Sequence, residues 1–182
     1  MNTITTQLTD GAQEYFPYDL SSWMDRRQLM CLALRAAAEA GSTHFGAGDF
    51  VMEGERHRPQ VLLALLSYSY ATGRFASSLI EQGIREDEKT RYLASNSQPD
   101  GPLLRCFRRR HRPALEECLL DLFRSVWKSR HHLLSEPAWA NAAPTATQGL
   151  VPWNGRFMLD LVCEVERRID QAVQFDSMEM DE

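Results

Sequence analysis

The residues best suited to chemistry lie between Asp100 and Arg112, in DGPLLRCFRRRHR. On a helix, Arg105, Arg108, Arg109 and Arg112 stand at i, i+3, i+4 and i+7, which places them on one side. Leu103, Leu104 and Phe107 fall on the opposite side, while Arg110 lies off the stripe, nearer the apolar residues and in position to pair with a carboxylate. A guanidinium donates two parallel hydrogen bonds from a planar fork, a geometry that fits phosphate oxygens and the edge of guanine. The chemistry expected of this face is recognition of duplex DNA. The competing reading is a solvated basic face that pairs with nearby acids.

Catalytic and metal-binding constellations are weaker. Asp160, Glu164 and Glu166 are close in sequence, and the first two can share a helix face. A phosphodiester-cutting site, however, needs carboxylates held on a sheet around two metal ions, so these acids read as a solvated face. His131 and His132 are adjacent and point to different sides of a helix, and His44 and His57 sit in a stretch without a nearby cysteine or acidic triad. Cys31, Cys106, Cys118 and Cys163 are far apart with no CxxC pair, unlike the close spacing of zinc ligands. No Gly-rich phosphate loop or nucleophile elbow is present. The expectation is a non-catalytic chain with no cofactor, no metal and reduced structural thiols.

Charge is segregated along the chain. Residues 99–132 carry 8 Lys/Arg against 4 Asp/Glu, whereas residues 133–182 carry 3 against 9 and residues 1–58 carry 5 against 8. A net charge of −5 therefore hides a basic block between acidic ends, and local fields decide what a surface attracts. The longest apolar run, 61–71, is interrupted by Ser67, Tyr68, Ser69 and Tyr70 and is far short of the roughly 20 residues of a membrane span. The N-terminus shows no basic segment followed by an apolar one, as a secretory signal would. A cytoplasmic protein with no membrane contact is expected.

The elements that must position the arginines read as helices, in a compact all-α bundle. Residues 1–18 form an irregular leader. A helix opens with a capping-box spacing from Ser22 to Asp25 and closes at Gly41, and the glycine-bearing stretch 42–58 reads as loop. Pro59 begins a helix apolar almost all round, as a buried central helix would be. Short helices follow near 77–83 and 86–94. After a turn, Asp100 caps a helix over 101–111 that ends before Pro113. Together 86–94 and 101–111 have helix–turn–helix spacing. A longer helix covers 114–131, residues 135–153 carry three prolines and form a linker or extended arm, an amphipathic helix occupies 154–175, and 176–182 are an acidic tail. The helical domain is thus expected over 19–134.

Several segments appear together in a familiar order: Pro59-x-x-Leu62-Leu63, Tyr68-Ser69-Tyr70, Gly73-Arg74-Phe75-Ala76-Ser77-Ser78-Leu79-Ile80-Glu81, Arg91-Tyr92-Leu93-Ala94, Gln98-Pro99-Asp100, and Arg105-Cys106-Phe107-Arg108-Arg109-Arg110-His111. This series, over about residues 55–128, resembles the N-terminal domain of bacterial insertion-sequence transposases of the DDE type. The resemblance implies a helical DNA-binding module that precedes a nuclease domain, and the strands of that nuclease domain are not recognisable here. On this reading Arg105, Arg108, Arg109 and Arg112 meet double-stranded DNA, with Arg74 and Lys128 as peripheral phosphate contacts. The alternative is an interaction module. Its last helix and acidic tail would bind a second copy, a full-length transposase or the chain's own basic helix. A decayed transposase remnant is the third reading.

Overall fold

The computed structural model describes residues 16–45, 48, 50–52, 55–95, 97–135 and 155–180, and these form a helical bundle. Its centre is three helices: α1 (Arg26–His44), α2 (Pro59–Ala71) and α6 (Arg112–Ser135), which pack on one another. Every residue of α2 from Leu62 to Ala71 is buried, as its apolar composition requires. Pro59 stands at its first turn, where its missing N–H costs nothing. Gly41 does not end α1. The helix runs on to His44, and Gly41 instead makes room for α2: a Cβ there would lie 2.3 Å from Cγ of Gln60. The start of α1 also differs from expectation, with Asp25 accepting from the Arg27 amide and a single 3-10 turn at Leu20–Ser22 before it.

A second layer holds α3 (Ser77–Glu86), α4 (Glu88–Leu93) and α5 (Gly101–Arg110). Asp100 caps α5, its carboxylate accepting from the Leu103 amide at 2.8 Å. α5 packs against α3, α6 and α2, whereas α4 packs against α3, α2 and α1. α4 and α5 are therefore not principal partners, and this packing lends no support to the helix–turn–helix pairing expected between them. The chain breaks between α5 and α6 at His111, and Pro113 falls in the first turn of α6.

The stretch 42–58 is not all loop. Strands β1 (Phe50–Met52) and β2 (Glu55–His57) form an antiparallel hairpin with Phe50 opposite His57. Three residues per strand are too few to display alternation in sequence. The hairpin is held by tertiary contacts instead: the Phe50 ring lies 5.2 Å from Phe107 and 5.5 Å from His111.

The terminal segments are corrected most. Phe16, Pro17 and Tyr18, expected in the irregular leader, join the fold, with Phe16 stacked on Phe123 at 5.4 Å. The last helix, α7 (Gly155–Met180), extends through the first five residues of the expected acidic tail. It is no appendage, because Leu161, Val165, Ile169 and Ala172 are buried in the same core as α2 and α6. The expected linker 135–153 lies outside the described residues apart from Ser135. Among the described residues, no helix is long and apolar enough to cross a membrane.

Candidate nucleic-acid interface

α5 presents its arginines in a different order from the helical wheel. Arg108 was expected on the outer stripe but is only 3% exposed. It stands one turn after buried Leu104, and α7 covers that side of the helix. Arg108 donates through Nη1 to the Tyr70 hydroxyl at 2.9 Å and through Nη2 to Oδ2 of Asp176. Asp176 also accepts from the Ser77 amide at 2.7 Å and from the Ser77 hydroxyl at 2.8 Å. One carboxylate from α7 thus caps α3 and pairs with α5. Burial disfavours the guanidinium's charge, yet Tyr70 and Asp176 hold its pKa above the ordinary arginine value. Burial likewise pushes the Tyr70 hydroxyl up.

The other expected contacts are dispersed. Arg112 opens α6 rather than extending α5, and it pairs with Glu116 at 2.7 Å and with Asp170 of α7 at 2.8 Å. Arg74 is half-buried against α3 and α4, where it donates to Thr90 at 3.1 Å and to Asp87 at 3.4 Å. Lys128 lines a groove between α1 and α6 with Arg27 and Cys31, a groove that no α5 residue lines. Arg105 is half-buried over Gly101, whose amide donates to the Glu81 carboxylate at 3.2 Å. Arg109 is exposed as expected. Arg110, expected nearer the core, is exposed as well. Neither has a carboxylate within 4 Å among the described residues. The six expected residues therefore do not share one surface, and the outward cations of α5 are Arg109 and Arg110, with Arg105 beside them.

Sequence reasoning missed Arg168, which is fully buried. Its Nη1 donates to the Tyr70 carbonyl at 2.6 Å and its Nη2 to the Pro17 carbonyl at 2.6 Å. Nε donates to Glu164 at 2.7 Å, and the guanidinium lies 4.9 Å from the Phe123 ring centre. Burial lowers the Arg168 pKa, while hydrogen bonds from Arg167 and Arg168 outweigh burial at Glu164 and lower that carboxyl's pKa. The signal was present. Leu161, Val165, Arg168, Ala172 and Asp176 recur at i, i+4, i+7, i+11 and i+15, so both charged residues lie on the apolar stripe.

Chemically, the arrangement offers fixed positive charge on the exposed side of α5. Among the described residues no three His, Cys, Asp or Glu side chains gather to hold a metal ion. The Cys118 thiol is buried against Ser67 and its pKa is pushed up to about 12 by burial, so it is an inert core group. Comparison with protein-family models, with curated proteins and with solved structures yields no match.

Proposed function

We propose that this chain binds double-stranded DNA without cutting it, through the outer face of α5, as a module akin to the N-terminal domain of insertion-sequence transposases. The observation that carries the proposal is the pair Arg109 and Arg110, exposed on consecutive positions with no carboxylate within 4 Å among the described residues. Arg108 and Arg112, by contrast, are occupied by Asp176, Glu116 and Asp170. The ordered motifs over about residues 55–128 support the same reading. Contact through two or three guanidiniums engages phosphates and carries little sequence information. In a mobility-shift titration at low salt, the chain should retard duplex DNA and Arg109→Glu/Arg110→Glu should abolish the shift. Failure to retard any duplex would remove the proposal.

A second reading, association through α7, is favoured by one observation. Leu159, Val162 and Val173 are exposed along one edge of the stripe whose buried members include Leu161, Val165 and Ile169. The partner would be a second copy or a full-length transposase. Light scattering across a concentration series tests it: a mass that stays at one chain excludes self-association, and Val162→Glu/Val173→Glu should dissociate any dimer found.

A further inference from the structure

Away from α5, a cleft of about 290 Å³ opens where β2 leads into α2 and faces the turn after α4. Arg56, His57 and Arg58 line one side, Ser95 and Ser97 the other, and Val61 and Ala94 complete it. Three successive basic residue types thus line one cavity in a chain of net charge −5. The hairpin explains how two of them differ in setting. His57 pairs across the strands with buried Phe50 and is itself buried, while Arg56 is opposite the exposed Val51 and reaches solvent. Arg58 is exposed at the N-cap of α2 and makes no side-chain capping hydrogen bond there. Among the described residues no Asp or Glu lines the cleft, and neither arginine has a carboxylate within 4 Å.

We propose that this cleft binds a phosphate group, with Arg56 and Arg58 supplying charge-assisted hydrogen bonds and Ser95 and Ser97 facing it across the opening. The chemistry follows from the lining. Two guanidiniums give the fork geometry a phosphate accepts, the Ser95 hydroxyl can serve a remaining oxygen, and the positive end of α2 adds a field of the same sign. The Ser97 hydroxyl donates to the Ala94 carbonyl at 2.6 Å and shapes the turn. The volume suits a phosphate with a sugar or one nucleoside attached. Small phosphorylated metabolites and nucleic-acid backbones both carry such a group, and the test separates these sources. The inference does not depend on α5 binding DNA.

Backbone-amide NMR of the full chain provides the test, in low-salt buffer free of phosphate. Titrated with a nucleoside 5′-monophosphate, the amides of Arg56, His57, Gln60, Val61, Ser95 and Ser97 should shift and saturate. Sodium chloride at matched ionic strength should not reproduce this. Arg56→Gln/Arg58→Gln should weaken binding at least about tenfold while leaving the α5 amides and the melting temperature in place. A titration with short duplex DNA identifies the source. Cleft shifts with the mononucleotide assign a small phosphorylated ligand, and cleft shifts with duplex alone assign the backbone. No saturating shift with either probe, or a response unchanged in the double variant, overturns the proposal. Shifts confined to α5 with duplex would support DNA binding while still overturning the cleft.

Discussion

Asp176 and Arg108 show how one residue's role turns on its neighbours. Each was legible as a surface charge, one in an acidic tail and one in a basic stripe, and each is nearly inaccessible to solvent. Breaking a buried pair leaves the survivor's charge without compensation, which costs about 3–5 kcal/mol. Asp176→Ala should therefore lower the urea midpoint sharply, and Arg108→Met should do so too. The double variant Asp176→Leu/Arg108→Met should lose less than the sum of the two, because no unpaired charge remains. If the single variants melt like the parent chain, the pair is not the clamp described. Glu164 adds a pH signature. Its folded pKa is lowered by Arg167 and Arg168, so the stability it contributes is present above the ordinary glutamate value of about 4.3 and is lost as pH falls through the depressed value. Glu164→Gln should flatten that acid limb of a pH–stability curve.

At the scale of elements, α7 and the hairpin each test whether a segment is core or ornament. Leu161, Val165 and Ile169 are buried, and together their burial is worth roughly 5–9 kcal/mol. That is comparable to the ~5–15 kcal/mol that stabilises a whole domain, so a chain truncated before Gly155 should lose its cooperative thermal transition by circular dichroism. A truncated chain that still melts cooperatively would return α7 to the status of an appendage. The hairpin docks through Phe50 onto His111, whose pKa is lowered by burial and further by Arg110 and His44. His44 itself faces Glu117 at 2.7 Å. The unfolded chain then binds the extra proton first, so stability contributed by neutral His111 is full above about pH 6.5 and is lost as pH falls below it. His111→Gln should remove this dependence between pH 5 and 7, a window distinct from that of Glu164. The strands were not legible because three residues carry no usable period, and α4–α5 pairing could not be read from spacing since spacing does not say which helix faces which.

For the whole molecule, the segregated charge makes a quantitative claim about binding. Each phosphate neutralised contributes about −0.9 to the slope of log affinity against log salt. With Arg105, Arg109 and Arg110 as the contacts, the slope on duplex DNA should be about −3, and a slope of about −4.5 would bring Arg108 and Arg112 back into the interface. The sequence by itself determined the helical class, the buried α2, the Asp100 cap, and the segregation of basic and acidic blocks. Those follow from local propensity and periodicity, which act within a few turns of chain. Only the tertiary structure decided which arginines face solvent. Arg108 sits at the edge of an apolar stripe, where one helix read alone leaves its direction open, and α7, with Asp176 68 residues further along, closes over that edge. The same docking brought Arg168 into the core and left Arg110 outside it. Burial of a charge depends on a partner arriving from elsewhere in the chain, and that arrival is a property of the packed molecule.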